Sequence, residues 1–244
     1  MKKLLNLLAS NRGRGAAVRA ESSGESEATI YLYDVISDGW GISAAEFVRA
    51  LSEIKADTIH LRINSPGGDV FDARAMKTAL AQHPAKVVAH VDGLAASAAS
   101  FVMLAADEIR IAKGAFVMIH KAWAFAIGNA DDMDATAKLL RQIDTSLVGD
   151  YVAATGQAEA DVVKWMAEET WFDAQQAVDL GFADELYDPD AKANALARFD
   201  LSAFERPPAN YAAATGEDEI ASAGAQQRAT AERRLALYER TAPA

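Results

Sequence analysis

The chain contains no cysteine among its 244 residues. Disulfides, thiolate nucleophiles and Cys-ligated zinc sites are therefore excluded. The absence of cysteine also fits a cytoplasmic location. No apolar run approaches the roughly 18 residues that a membrane span requires, so we expect no membrane partner. The leader MKKLLNLLASNRGRG has an apolar run too short for a secretory signal. We interpret it as a short amphipathic helix or a disordered leader.

Positive charge and phosphate-binding loops are also scarce. The chain has 24 Lys and Arg against 35 Asp and Glu, a net charge of −11. Nucleic-acid binding is not expected, because it needs a basic face. The motif G-x-x-x-x-G-K-[ST] is absent, so the chain cannot hydrolyse ATP through a P-loop. Its hydrophobic fraction of 51% is enough for a folded core.

Strand-like runs alternate with helical patterns along the chain. TIYLYDVI (29–36), TIHLRIN (58–64) and KVVAHV (86–91) are predicted strands, and helical patterns follow each of them. This alternation indicates βαβ units and a largely parallel sheet. A long helix is predicted from 131 to 154, with an apolar stripe formed by Leu140, Ile143, Leu147 and Tyr151. We expect a second subunit to cover part of this stripe, because exposed apolar stripes usually mark interfaces.

Composition divides the chain into three parts. Residues 1–28 form a leader and linker, and residues 29–189 carry the α/β pattern. Residues 190–244 read as a low-complexity tail, because alanine dominates there and two prolines interrupt it. Within that tail, AERRLALYER (231–240) has the pattern of a short amphipathic helix.

Two segments combine small residues with groups that can support catalysis. In GLAASAASF (93–101), Ser97 follows a strand at the start of a predicted helix, where the helix dipole favours negative charge. It is a nucleophile or part of a tightly packed small-residue helix. In INSPGGDV (63–70), two glycines expose backbone N–H groups that suit an oxyanion, or they form a simple turn.

The chain has only four histidines, and a serine nucleophile needs a base. His120 ends the apolar strand AFVMIH and is a candidate. His90, seven residues before Ser97, is its rival. We expect a structural role for His60, which lies mid-strand, whereas His83 precedes a proline in a loop.

INSPGG, G-x-A-A-S and MIH occur in an order and spacing that resemble the ClpP-type serine peptidases over about residues 29–187. The resemblance implies an α/β fold, a ClpP/crotonase-like spiral of βαβ units with a helical handle. It also implies that Ser97 is the nucleophile and His120 the general base. The backbone N–H groups of Gly68 and Ala98 would form the oxyanion hole, and Ser100 would serve packing only.

The third triad member departs from the family pattern. The segment MAEETWFDAQQAV places Glu169 where the family usually has an aspartate. Glutamate can also orient an imidazole, with a longer reach. Glu168 is adjacent, and Asp173 has the pattern of a helix N-cap. The two glutamates also suit a solvated helix end.

The resemblance implies a serine endopeptidase that cuts extended polypeptide, with no metal or organic cofactor. It implies a homo-oligomeric ring of six or seven subunits, fed by a separate Clp-type ATPase. Four segments further resemble the head maturation proteases of phages and prophages, which cut capsid or scaffold proteins. They are the leader, IYLYDVI, GWG and ETW. Such an enzyme would work in the host cytoplasm or inside the prohead.

Two other functions fit parts of the pattern. An acyl-CoA enzyme of the crotonase type shares the spiral architecture and needs no Ser–His pair. A catalytically inactive ring or scaffold protein would keep these motifs only for packing. Loss of Ser97 or His120 would have favoured that last interpretation, and both residues are present.

Overall fold

The apolar runs of the sequence form the strands of one mixed sheet. The computed structural model describes residues 3–15, 18–22, 26–188 and 199–208. The sheet in this part of the chain has eight strands: β1 (Arg19–Ser22), β2 (Glu27–Leu32), β3 (Thr58–Ser65), β4 (Lys86–Ala96), β5 (Glu108–Ala112), β6 (Phe116–Ile119), β7 (Thr170–Asp173) and β8 (Glu185–Tyr187).

Strand β4 organises the sheet because it has different partners along its length. The main path runs β1-β2-β3-β4-β5-β8, with parallel pairing from β2 through β8 and β1 antiparallel at the edge. The first part of β4 pairs with β5, whereas its last residues, 94–96, pair with β6. Strand β6 then pairs antiparallel with β7. The residues that follow β4 and β6 therefore come out side by side.

Seven helices occur in the same part of the chain, and they bury apolar faces against the sheet or against each other. They are α1 (Lys3–Asn11), α2 (Ala44–Glu53), α3 (Val70–Gln82), α4 (Ala98–Met103), α5 (Ala130–Thr155), α6 (Glu159–Glu168) and α7 (Ala174–Asp179). Capping boxes start α2 at Ser43 and α7 at Asp173. None of the helices described is long and apolar enough to cross a membrane.

The long helix α5 matches the predicted helix, but its apolar stripe has a different partner from the one expected. Ile143, Leu147 and Tyr151 are only 8%, 6% and 2% exposed within a single chain. They do not need a second subunit to cover them. The large apolar side chains of α5 that are exposed are Met133 and Leu139, in its first half.

Structure also occurs in the two regions interpreted as linker and tail. Strand β1 pairs with β2, and the Arg19 guanidinium lies 4.1 Å from the centroid of the Tyr31 ring. Its side chains are all exposed, so no apolar alternation marks it in the sequence. Residues 199–208 pack against α1 through buried Phe199, Leu201 and Phe204. The helix predicted at 231–240 lies outside the described residues.

Candidate active site

Ser97 lies at the junction between β4 and α4. Its backbone has φ 52° and ψ −123°, a conformation that costs energy in a residue with a side chain. The Ser97 N–H donates to the carbonyl of Met118 at 2.8 Å, which ties the junction to β6. The segment after it, Ala98–Met103, is buried. The strained turn holds the hydroxyl at the end of the strand, where a rigid sheet positions it.

His120 directly follows β6, so the sheet sets it beside Ser97. Its Nε2 lies 2.7 Å from the Ser97 Oγ. The imidazole packs edge-on against Trp123 and Phe204, with ring centroids 4.4 Å and 5.8 Å away. Burial, helped by the charge of Lys3, lowers the pKa of His120 to about 3. The ring is therefore neutral at pH 7, the form that can accept a proton.

Gly67 and Gly68 bring bare backbone against Ser97. A Cβ on Gly67, whose φ is 88°, would lie 2.5 Å from the Ala96 carbonyl oxygen. A Cβ on Gly68 would lie 2.0 Å from the carbonyl oxygen of Ile36. The bridge to Ile36 uses the Gly67 carbonyl and the Asp69 N–H. The Gly68 N–H is thus left on the opposite side, where Gly68 and Ala98 line the same cavity as Ser97.

This cavity has a volume of about 340 Å³ and contains both Ser97 and His120. Most of its wall is apolar, and α5 contributes more residues to it than any other element. The apolar α5 residues are Leu139, Leu140, Ile143, Leu147 and Tyr151. Helix α1 closes one side with Leu4 and Leu7. The wall suits an apolar side chain placed next to the serine.

Glu169 is buried, and its backbone adopts a left-handed conformation with φ 52°. Its carboxylate accepts hydrogen bonds from the backbone N–H groups of Glu205 (2.7 and 2.9 Å) and Arg206 (2.7 Å). The Trp171 indole donates a longer one at 3.3 Å. The His120 imidazole is not among its donors. Glu168, by contrast, is exposed at the end of α6.

The other candidates lie away from the cavity or serve packing. His90 and His60 face each other on the outer side of the sheet, with 3.0 Å between His90 Nε2 and His60 Nδ1. His90 does not line the cavity and does not contact Ser97. The Ser100 Oγ donates to the Ser97 carbonyl and lies 2.7 Å from the Tyr151 hydroxyl.

The structure thus brings Ser97, His120, Gly68 and Ala98 together, whereas the Glu169 carboxylate accepts hydrogen bonds from donors other than His120. Sequence reasoning missed Phe204, which contacts His120 and Trp123 from the region taken as tail. The signal available was the run FDLSAF (199–204), whose apolar residues interrupt an alanine-rich and polar segment.

The profile described as Clp protease matches residues 17–190. The chain belongs to the Clp protease family. One relative, "ATP-dependent Clp protease proteolytic subunit 1" of Protochlamydia amoebophila, is 31% identical over 165 residues, which are 64% of this chain and 79% of the relative. A protein of the same name from Leifsonia xyli is 30% identical over 147 residues, covering 59% and 74% of the two chains.

A solved structure of the Clp protease family confirms the predicted fold class. A point mutant of ClpP1 from Listeria monocytogenes superposes with a TM-score of 0.59 at 22% identity. The match covers 68% of this chain and 94% of that chain. The Clp protease match includes Ser97, His120 and Glu169, whereas α1 and the segment 199–208 lie outside it.

Proposed function

We propose that this Clp protease family member is a serine endopeptidase that hydrolyses extended polypeptide. One observation carries the proposal. The Ser97 Oγ lies 2.7 Å from the His120 Nε2, within a cavity that also contains the backbone of Gly68 and Ala98. A nucleophile, a base in hydrogen-bond contact and two N–H donors are the groups that acyl transfer needs.

The residues act in sequence in this mechanism. Ser97 Oγ attacks the scissile carbonyl carbon while His120 Nε2 takes the hydroxyl proton. The N–H groups of Gly68 and Ala98 stabilise the oxyanion of the tetrahedral intermediate. That intermediate collapses, and His120 returns the proton to the leaving amine. Water then attacks the acyl carbonyl carbon and loses a proton to His120. His120 returns this proton to the Ser97 Oγ as the bond between Oγ and the acyl carbon breaks, which releases the acid product.

Glu169 is the proposed acid of the triad. The pairing of Ile119 with Thr170 in the β6–β7 register would, one residue further, set His120 opposite Glu169. A carboxylate there can hold the imidazole through Nδ1–H and stabilise the imidazolium. Glu168 is the weaker candidate because its side chain is exposed at the end of α6.

The substrate we propose is an extended segment with an apolar residue before the scissile bond. The wall formed by Phe101, Leu140, Ile143 and Leu147 supports this preference. We further propose a homo-oligomeric ring. The exposed apolar residues Phe125, Ile127, Met133 and Leu139 lie in and just before the first half of α5, and they are the surface that such a contact would cover.

Two biological settings remain as proposals. The relatives are named proteolytic subunits of an ATP-dependent protease, and this chain has no P-loop motif, so a separate Clp-type ATPase would feed it. The flanking segments that resemble head maturation proteases support a role in cutting capsid or scaffold protein during phage prohead assembly. Incubation with either substrate class, with and without an ATPase, separates the two settings.

A fluorophosphonate probe tests the proposed chemistry. The probe should label Ser97, and mass spectrometry should map the adduct to that residue. The Ser97→Ala variant should not react, whereas the matched Ser100→Ala variant should. Label on Ser100, or no label on any serine of the cavity, would overturn the assignment.

A further inference from the structure

Residues from the two ends of the described chain together form a cover over His120 and Glu169. Helix α1 and the segment Phe199–Arg206 pack on each other and on the ends of β4 and β6. We call this pair the terminal clamp. Both parts lie outside the region that the Clp protease profile matches. The terminal clamp therefore lies outside the part of the chain that matches the family profile.

A side-chain amide joins the two parts of the terminal clamp. Asn11 is fully buried, and its Nδ2 donates to the Asp200 carbonyl at 2.9 Å. Its Oδ1 accepts from the Asp200 N–H at 2.6 Å. An ion pair between Lys3 and Glu205 adds a second link, close to the Trp123 ring. These specific bonds hold the C-terminal segment in a fixed position.

The terminal clamp contacts both the proposed base, His120, and the proposed acid, Glu169. Phe204 packs against the His120 ring, and the N–H groups of Glu205 and Arg206 bind the Glu169 carboxylate. With those donors in place, the carboxylate makes no hydrogen bond to His120. Among the described residues, Lys3 from α1 is the charged group that acts on the imidazole, and it pairs with Glu205.

We propose that the segment Phe199–Arg206 is an intramolecular inhibitor, which keeps the enzyme latent by binding the Glu169 carboxylate in place of His120. The inference rests on the proposed function. When the segment leaves, rotation of the Glu169 side chain brings its carboxylate to the His120 Nδ1–H, because His120 directly follows β6 and Glu169 directly precedes β7, and these two strands pair. Burial without a carboxylate partner disfavours the imidazolium that forms during catalysis.

A proline at position 206 removes one inhibitory donor without touching the catalytic residues. Arg206→Pro deletes the N–H that donates to Glu169, whereas Arg206→Ala keeps that N–H and removes only an exposed side chain. We expect Arg206→Pro to raise the rate of fluorophosphonate labelling of Ser97 about tenfold or more, as loss of a charge-assisted hydrogen bond should. Arg206→Ala should label at the rate of the parent chain.

A second variant releases the segment from a distance and covers the case in which the proline variant does not fold. Asn11→Ala removes the amide that holds Asp200, and it contacts neither Ser97, His120 nor Glu169. It should also raise the labelling rate. Leu5→Ala, on the exposed face of the same helix, is its matched control. Circular dichroism of each full-length variant establishes that it is folded.

The sign of the effect decides the inference. Faster labelling in Arg206→Pro or Asn11→Ala, with both controls unchanged, supports an inhibitory segment. Unchanged or slower labelling in the folded variants overturns it and leaves the proposed function intact, since the parent chain still labels at Ser97. If Ser97 fails to label in every variant, the proposed function falls as well.

Discussion

Two buried carboxylates near strand β4 differ in the kind of partners that bind them. On the outer face of the sheet, Asp92 has no exposed side-chain surface and is bound by Arg62, Tyr33 and Tyr187. Beyond the carboxyl end of β4, Glu169 is also buried, but it is bound mainly by backbone N–H groups of one short segment.

The difference lies in whether the partners can be exchanged. The partners of Asp92 come from strands β3 and β8 and from the residue after β2, so they are fixed by the sheet. Burial and the negative charge of Asp92 raise the pKa values of Tyr33 and Tyr187, which stay neutral donors. The backbone partners of Glu169 belong to a segment outside the residues that the Clp protease profile matches. Fixed partners indicate a structural cluster, and exchangeable partners indicate a site that changes state.

The largest expected effect tests the proposed catalytic residues in the region of Glu169. Ser97→Ala should abolish peptide hydrolysis, because it removes the attacking oxygen and leaves the backbone turn unchanged. His120→Ala should be comparably inactive, since residues that act as a unit are not additive. Cleavage of a fluorogenic peptide measures both. Turnover near the parent level in Ser97→Ala would place the nucleophile elsewhere.

The next effect concerns the acid with exchangeable partners. Glu169→Gln keeps the shape of the side chain but removes the charge that favours imidazolium, so the rate should fall on the order of 100-fold to 10⁴-fold. The loss should persist in the Arg206→Pro background, where one of the N–H donors to the carboxylate is removed. Glu168→Gln is the matched control and should lose little. The reverse ranking would assign the triad acid to Glu168.

A smaller effect tests the structural role of the Asp92 cluster on the outer face of the sheet. Asp92→Asn removes the counterion of partly buried Arg62, and we expect a loss of about 2–3 kcal/mol in the free energy of unfolding. Urea denaturation measures it. Glu108→Gln, which breaks exposed pairs with Lys86 and Arg110 on the same sheet face, should cost about 1 kcal/mol or less. Peptidase activity of folded Asp92→Asn should stay close to that of the parent.

Much of this arrangement could be predicted from the sequence because local patterns determine it. The strand periods placed Ser97 and His120 after β4 and β6, and a parallel sheet brings such ends together. The N-cap pattern at Asp173 marked one helix start to the residue. The motifs then carried the family resemblance, which the profile match confirms at family level.

The parts that escaped prediction depend on contacts between residues distant in the chain. Asn11 and Asp200 are 189 positions apart, and no periodicity links them. The stripe on α5 was expected to need a second subunit, but Ile143 and Leu147 instead line the cavity of the same chain. A periodic apolar pattern indicates that one face of a helix is covered, but it does not identify the part of the chain or the subunit that covers it.

The smallest expected effect concerns His90, the histidine on the outer face of the sheet. Burial, followed by the charge of Arg62, lowers the pKa of His90 to about 4, below the ordinary 6.5 of an unfolded chain. Between these values the unfolded state binds more protons than the folded state, so stability is fully present above about pH 6.5 and declines as the pH falls toward 4. His90→Gln removes this contribution. Between pH 7 and pH 4 the free energy of unfolding of the variant should therefore fall by about 1–2 kcal/mol less than that of the parent, an amount discounted for the partial exposure of the ring.

Urea unfolding at several pH values measures the difference, and data at about pH 8, where the imidazole is neutral in both states, give the baseline. Equal slopes for the two proteins would show that His90 is not desolvated on the outer face of the sheet. Peptide cleavage by the variant should be unchanged, because His90 contacts His60 and not Ser97.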